Sequence, residues 1–208
     1  MLKIELARHS RHEYQEVNAL SPEIITGVVL CGGQSRRFGS DKSEAKIDGV
    51  SLIERSISIL DPLVSETFIS SGSPRRHYPF DLRHVEDSFP DAGPLAGILS
   101  ALDACPSAFM LVLAVDLPFI TSSSLQKLVD QQDKLPDTVV VAGSSTRKQP
   151  QPLCGIWPRS SRHPLRAYLE AGRRSVFGFL EDQRVVAIEV PDKELRNVNR
   201  RRDLDGDI

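Results

Sequence analysis

The sequence predicts a single α/β domain with a three-layer α/β/α, Rossmann-like arrangement and a mostly parallel central sheet. Two observations favour this fold class. From Ile24 onward, short apolar segments that suit β-strands alternate with segments whose apolar residues recur at helical spacing. Residues 108–115 are almost wholly apolar, as is typical of a parallel strand covered on both faces. Alternating strands and helices imply right-handed crossovers, which place helices on both faces of the sheet.

Each element is predicted from its own residues. The first strand is the apolar run Ile25–Leu30. A helix is expected at Leu52–Leu60, whose apolar residues share one face, and Pro62 ends it. Thr121 is suited to cap a helix that runs to about Gln132. The remaining expectations are strands at 67–70, 83–86 and 138–142, a helix at 93–104, a mobile loop at 143–152 and a helix end at Gly172.

Length and composition restrict the class of protein. With 208 residues and 40% hydrophobic content, the chain can bury one sizeable core, so we expect one domain at 23–208 preceded by an N-terminal extension at 1–22. A net charge of −2 does not favour nucleic acid as a partner. No apolar run approaches the roughly 20 residues that span a bilayer, and the charged N-terminus lacks a signal-peptide core. We therefore expect a cytoplasmic protein that binds neither nucleic acid nor membrane.

The three cysteines are Cys31, Cys105 and Cys154, and their spacing does not match a metal site. Reduced thiols in a cytoplasmic protein are the simplest interpretation. Cys31 lies beside two glycines, but nothing near it in sequence marks it as a nucleophile.

A glycine-rich segment after the first strand, GVVLCGGQSRRFGSDK at 27–42, carries the main functional signal. Gly32 and Gly33 allow backbone N–H groups to approach an anion, because no Cβ intervenes. Arg37 and Lys42 follow and are suited to neutralise phosphate charge. The spacing fits neither the P-loop, which needs a Gly-Lys pair, nor the dinucleotide fingerprint. A plain surface turn is the alternative, but this density of glycine and cationic residues favours a nucleoside triphosphate.

Two aspartates follow predicted strands. Asp87 comes directly after 83–86, and Asp116 directly after 108–115. Ligands of open α/β sheets bind at the carboxyl ends of the strands, where both aspartates fall. A carboxylate there is costly to desolvate alone, and Mg²⁺ is a suitable partner. Each aspartate by itself is also compatible with a turn or a helix cap, but together, beside the glycine loop, they favour a metal–phosphate site.

These segments resemble molybdenum cofactor guanylyltransferases. The signature Leu-x-Gly-Gly-x-Ser-x-Arg-x-Gly-x-Asp-Lys of that family is matched by Leu30, Gly32, Gly33, Ser35, Arg37, Gly39, Asp41 and Lys42, with Phe38 where methionine is usual. Asp87 with residues 93–97 is similar to the family's Asp…Gly-Pro-Leu-Ala-Gly segment, and Asp116-Leu117-Pro118 to its Asp-x-Pro metal site.

The second half of the chain continues the resemblance. Residues 151–157 are similar to a Gln-Pro-Leu-x-Gly strand of the family. Asn197 and Asn199, followed by Asp203-Leu204, resemble the closing element that helps to form the family's pterin-side pocket. Without the resemblance, an Asx-rich turn before a short terminal helix would be favoured. Where the family often has asparagine after the second strand, this chain has Ser70-Ser71-Gly72, and that nucleotide contact is not carried over.

The resemblance implies transfer of GMP from GTP to molybdenum-bound molybdopterin, with release of pyrophosphate and with Mg²⁺ as cofactor. It implies that Arg37, Lys42 and Asp116 are catalytic and that Asp116 binds the metal. Implied nucleotide-binding residues are Leu30, Cys31, Gly32, Gly33, Lys42, Asp87, Gly97 and Asp116. Implied pterin-side residues are Asn197 and Asn199. The implied partners are GTP, molybdopterin, and the carriers or acceptor molybdoenzymes of the finished cofactor.

Alternative functions stay open at this point. The same scaffold supports cytidylyl transfer to the pterin or nucleotidyl transfer to a sugar phosphate. A GTP-binding partner protein without catalysis is a further alternative, against which the presence of both Lys42 and Asp116 argues. The attacking phosphate is already ionised at neutral pH, so no general base is required. The five histidines, scattered through polar segments, are consistent with that expectation.

Overall fold

The computed structural model describes residues 25–32, 41–72 and 78–204, together with the backbone of residues 5–7. Its strands are β1 (Glu5–Ala7), β2 (Ile25–Leu30), β3 (Lys46–Ile47), β4 (Val50–Ser51), β5 (Glu66–Ser70), β6 (Arg83–Val85), β7 (Phe109–Ala114), β8 (Val139–Gly143), β9 (Gln151–Pro158) and β10 (Val185–Glu189). Its α-helices are α1 (Leu52–Leu60), α2 (Pro94–Ala104), α3 (Ser122–Gln132), α4 (Arg162–Glu170) and α5 (Val176–Leu180). Short 3₁₀ helices include Lys42–Glu44, Asp192–Leu195 and Arg201–Asp203.

The described strands form an eight-stranded sheet in the order β1-β10-β8-β9-β7-β2-β5-β6, and β3 and β4 form a separate hairpin. Neighbouring strands of the large sheet are parallel, except that β9 lies antiparallel between β7 and β8. The predicted mostly parallel sheet is therefore confirmed. A short connection between β8 and β9 permits the one antiparallel strand, whereas parallel neighbours need a longer crossover.

The core has two parts, one on each face of the sheet. Along β2, side chains alternate, so that Ile25 and Val29 join one cluster while Val28 and Leu30 join the other. The first cluster includes buried residues of α1 and α3, and the second those of α2, α4 and α5. Every residue of β7 is buried, as predicted for a strand covered on both faces. The three-layer architecture follows from these two apolar faces.

Local sequence signals determine where helices begin and end. The Ser51 and Glu54 side chains form a capping box at the start of α1, and the hydrogen bonds from Ser51 lower the pKa of the Glu54 carboxyl. Thr121 caps α3 as predicted, because its hydroxyl accepts from the Ser124 N–H at 3.2 Å. Gly172 lies just after α4 with φ of 78°, a left-handed conformation that ends the helix. The predicted elements lie within one residue of their observed bounds.

The N-terminal extension contributes one observed element. The backbone of Glu5–Ala7 pairs in parallel with β10 and forms one edge of the sheet; the division into extension and domain stays a prediction. The loop predicted at 143–152 is observed at 144–150, because β8 includes Gly143 and β9 begins at Gln151. An ion pair of 2.7 Å between Arg147 Nε and Asp192 Oδ1 connects the loop to the 3₁₀ helix Asp192–Leu195. Within the described residues, no helix combines the length and apolar character that crossing a membrane requires.

Candidate active site

The predicted site residues lie where parallel strands end together. The order β7-β2-β5-β6 makes the carboxyl ends of four neighbouring strands meet at one edge. Pairing continues just past the strands, since the Cys31 N–H donates to the Ser70 carbonyl at 2.8 Å and the Val115 N–H to the Leu30 carbonyl at 3.2 Å. Leu30 and Cys31 are thereby held beside the segment that leads to Asp116.

The glycine-rich loop begins at Gly32, which is exposed. A Cβ added to Gly32 would meet backbone atoms of Gly72 at 3.5 Å, an ordinary contact distance, so packing alone does not require glycine here. Close approach of a ligand to the backbone would require it. Gly33 and Arg37 lie outside the described residues, and their predicted roles stay predictions.

Lys42 opens a short 3₁₀ helix that Asp41 positions. The Asp41 carboxylate accepts from the Ser43 N–H at 3.0 Å and from the Tyr78 hydroxyl at 3.1 Å. Ser43 and Tyr78 are buried, so this end of the glycine-rich segment is fastened to the protein interior. Asp41 and Lys42 of the sequence pattern therefore differ in role. Asp41 orders the turn, and Lys42 extends toward the strand ends.

Three predicted site residues meet at the Lys42 ammonium. Its Nζ lies 3.3 Å from Asp116 Oδ2 and 3.3 Å from Asn199 Oδ1. The Lys42 side chain is 14% exposed and that of Asp116 is 27% exposed, so the ion pair is sheltered yet open on one side. The Val198 N–H donates to the Asp116 carbonyl at 2.9 Å, which holds the closing segment against the end of β7.

Asp87 lies in a different setting from Asp116. Its carboxylate accepts from the Ser70 hydroxyl at 3.4 Å. Burial is the main cause of a raised pKa for Asp87, with the charge of Glu86 adding to it and the Ser70 hydrogen bond opposing it. A Cβ on Gly97 would lie 2.5 Å from Ser70 Oγ and 3.4 Å from Asp87 Oδ1, so a side chain at residue 97 would force the Ser70 hydroxyl to move.

The two aspartates do not form one metal-binding pair. The strands that they follow, β6 and β7, are three positions apart in the sheet, on the order of 14 Å at about 4.8 Å per strand. No group of three or more His, Cys, Asp or Glu side chains suited to a metal occurs among the described residues. A metal at this edge would need Asp116 together with oxygens from a substrate, the usual mode for Mg²⁺ at phosphates.

The two asparagines of the closing segment face different partners. The oxygen of Asn197 accepts from Gln151 Nε2 at 2.9 Å, which joins the segment to β9, whereas Asn199 contacts Lys42. Asp203 Oδ2 accepts the backbone N–H groups of Asn199 and Arg200, both at 2.7 Å, and these bonds lower the pKa of Asp203. The segment therefore ends in a turn that Asp203 holds at the start of the 3₁₀ helix Arg201–Asp203, and it also borders the site.

Two further contacts near the site were missed by the sequence reasoning. The buried Glu194 carboxylate accepts from the Thr121 N–H at 3.1 Å and from the Thr121 hydroxyl at 3.0 Å. The Arg196 guanidinium lies 4.3 Å from the centre of the Phe119 ring. Both contacts connect the turn after Asp116 to the closing segment. The partners are more than seventy residues apart, and no local pattern signals them.

The three cysteines lie in the protein interior. All three side chains are buried. Burial, assisted by the charge of Glu194, raises the pKa of the Cys154 thiol to about 12. Cys31 reaches the site through its backbone, since its side chain is buried.

Comparison with known proteins identifies the family of the chain. Residues 27–185 match the model of the MobA-like NTP transferase domain. A probable molybdenum cofactor guanylyltransferase of Chloroflexus aggregans is 32% identical over 154 residues, 73% of this chain and 74% of the relative. A molybdenum cofactor guanylyltransferase of Mesorhizobium japonicum is 33% identical over 173 residues, 79% and 82% of the two chains.

Solved structures show the same fold. Molybdopterin-guanine dinucleotide biosynthesis protein A from Archaeoglobus fulgidus superposes with a TM-score of 0.72 at 24% identity, over 86% of this chain and 95% of that one. A nucleotidyl transferase from Methanothermobacter thermautotrophicus gives 0.70 at 21% identity, over 86% and 94%. With a family model that spans most of the chain and relatives above 30% identity, this chain belongs to the MobA-like NTP transferase family of nucleotidyltransferases.

Proposed function

We propose that the protein transfers GMP from GTP to molybdenum-bound molybdopterin, which forms the guanine dinucleotide cofactor and releases pyrophosphate. The relatives named for this activity support the proposal. The observation that carries it is the contact of Lys42 with both Asp116 and Asn199. These two residues lie 74 and 157 positions from Lys42 along the chain. A cation, a carboxylate and an amide at the carboxyl edge of the sheet suit a triphosphate and a phosphorylated acceptor.

The reaction is a displacement at phosphorus. An oxygen of the pterin's terminal phosphate forms a bond to the α-phosphorus of GTP, and the bond from that phosphorus to the β-phosphate oxygen breaks. Such a transfer depends on alignment and on neutralising charge at the phosphate oxygens. We expect the Lys42 ammonium to donate to those oxygens, and Arg37 is the second cation that the sequence pattern predicts.

Asp116 has the chemistry of a Mg²⁺ ligand in this site. Its carboxylate is partly exposed at the end of β7 and already faces a positive charge, the Lys42 ammonium at 3.3 Å. Mg²⁺ is commonly held by one or two carboxylates together with substrate phosphates, so a single carboxylate fits. When bound, the ion would supply charge neutralisation to the phosphate oxygens.

The remaining predicted residues divide between two sides of the site. Leu30, Cys31 and Gly32 present backbone at the end of β2, while Asp87 and Gly97 lie toward β5 and β6, where we place the nucleoside. Asn197 and Asn199 border the opposite side, which we assign to the pterin. Carriers of the cofactor and acceptor molybdoenzymes are the proposed protein partners.

The test is pyrophosphate release from GTP and Mg²⁺, with and without molybdopterin. We expect release that requires molybdopterin and is lower with CTP. Release with CTP alone would identify a cytidylyltransferase, and GTP binding without release would identify a non-catalytic binding protein. Lys46→Ala serves as a control, because Lys46 is an exposed lysine four positions from Lys42 on the β3–β4 hairpin.

A further inference from the structure

We propose that Asn199 is a positioning residue, which acts by holding the Lys42 ammonium in place and not by contacting GTP or the pterin directly. The inference rests on the proposed function. It separates Asn199 from Asn197, which the sequence pattern places together on the pterin side.

The contacts of the Lys42 ammonium are the first observation that supports this role. Among the described residues, its Nζ has two acceptors, Asp116 Oδ2 and Asn199 Oδ1, both at 3.3 Å. An ammonium group has three donors, so two can hold its position while another meets a ligand. The side chain is 14% exposed, which leaves an opening for such a ligand.

Asn199 is itself held in place relative to Asp116. Its backbone N–H donates to Asp203 Oδ2 at 2.7 Å, and the preceding residue, Val198, donates to the Asp116 carbonyl at 2.9 Å. The amide that contacts Lys42 is therefore fastened, one residue away, to the same residue with which Lys42 forms its ion pair. The three groups therefore form a closed set of contacts.

The neutral amide has a consequence for catalysis. If Asp116 turns toward a metal ion, Lys42 loses its charged partner but keeps Asn199 as an acceptor. An amide orients the ammonium without cancelling its charge, so that charge stays available to phosphate oxygens. A carboxylate at position 199 would hold Lys42 equally well but would neutralise it.

Asn197 provides a matched control from the same segment. It is also an asparagine, two residues away, but its oxygen accepts from Gln151 Nε2 at 2.9 Å. Replacing Asn197 should leave the surroundings of Lys42 unchanged.

The first experiment is a double-mutant cycle on GTP affinity, measured by titration calorimetry. Asn199→Ala should weaken GTP binding roughly 3- to 10-fold, whereas Asn197→Ala should leave it at the parent value. In the Lys42→Ala background, adding Asn199→Ala should change affinity by less than about 2-fold, because its effect passes through Lys42. If the affinity losses of the two single variants multiply in the double variant, Asn199 contacts GTP directly. If Asn199→Ala leaves GTP affinity unchanged, only a role toward the pterin is left. Either result overturns the proposal.

The second experiment needs no ligand. Acylation of Lys42 in the free protein is followed by peptide mass spectrometry, with Lys46 as an internal reference. Asn199→Ala should raise the Lys42 rate several-fold, since one of its two acceptors is gone, while Asn197→Ala should not. Equal rates in the parent and Asn199→Ala proteins would overturn the proposal, even if the protein bound no GTP and the proposed function failed.

Asn199→Asp completes the test. The Asn199→Asp variant should protect Lys42 from acylation at least as well as the parent does, because a carboxylate holds an ammonium more strongly than an amide. It should nevertheless bind GTP more weakly than Asn199→Ala does, because it adds negative charge. Parent-like GTP affinity in Asn199→Asp would contradict the role of a neutral acceptor. Residue 199 is exposed, so these variants are expected to fold, and melting temperatures check this.

Discussion

The two sides of the site are built differently. On the β7 side, Lys42, Asp116 and Asn199 form partly exposed polar contacts at 3.3 Å. On the β5–β6 side, Asp87 and Gly97 pack so closely around Ser70 that a Cβ at residue 97 would lie 2.5 Å from the Ser70 hydroxyl oxygen. The first side has groups that can exchange partners when a charged ligand arrives, and the second has a shape that packing holds in place. Substitutions on the first side should change catalysis, and those on the second should change stability.

The largest effect on turnover is expected from Asp116→Asn, which keeps the shape of the side chain and removes its negative charge. We expect metal-dependent turnover to fall by on the order of 100-fold or more, with modest loss of GTP binding, because a metal ligand acts mainly on charge at the phosphates. Metal titration of pyrophosphate release measures this, with Asp48→Asn, an exposed aspartate, as the control. A parent-like titration curve would mean that Asp116 serves only to hold the turn.

Lys42→Ala should have the next largest effect. Loss of charge-assisted hydrogen bonds of about 1.5–3 kcal/mol corresponds to roughly 10- to 150-fold in turnover at limiting GTP. The melting temperature should change little, since Lys42 contributes to no apolar core cluster. Lys46→Ala is the matched control. If Lys42→Ala released pyrophosphate at nearly the parent rate, the β7 side would not be the catalytic side.

Gly97→Ala tests the other side and should lower stability. The added methyl group would lie 2.5 Å from Ser70 Oγ and would turn the buried hydroxyl away from Asp87. We expect this overpacking, typically about 1–3 kcal/mol in free energy of unfolding, to exceed the roughly 0.5–1 kcal/mol that alanine gains over glycine in a helix. Denaturant unfolding measures the loss. Adding Ser70→Ala removes the conflicting oxygen and should restore part of the stability. Absence of rescue would show that the conflict lies with other atoms.

The smallest expected effect is a pH dependence of stability that arises from Asp87. Because burial raises the pKa of Asp87, the folded state binds its proton more tightly than the unfolded state. This contribution to stability is present below the unfolded carboxyl pKa of about 3.9 and is lost as pH rises through the raised folded pKa. Asp87→Asn should therefore raise the melting temperature slightly at neutral pH and show no such gain in acid. Melting curves across this range measure it, and a gain that persisted in acid would contradict the burial argument.

Local elements could be predicted from the sequence because their causes are local. The apolar run Ile25–Leu30, the cap at Thr121 and the helix end at Gly172 each depend on a few neighbouring residues. The glycine-rich segment likewise signals a phosphate site through residue types alone. The roles of Arg37 and Gly33 stay predictions, because residues 33–40 lie outside the described part of the chain.

Only the tertiary structure decided which distant residues meet. The structure shows β9 antiparallel between β7 and β8, Asn197 in contact with Gln151, and Asn199 in contact with Lys42. It also brings Glu194 to Thr121 across 73 positions of sequence. The sequence by itself predicted the central strands and helices and a phosphate site, since these follow from side-chain spacing and chemistry, but it did not predict β1, the β3–β4 hairpin, α5 or β10. Contacts between segments follow from how strands order and helices pack, which no single window of residues encodes.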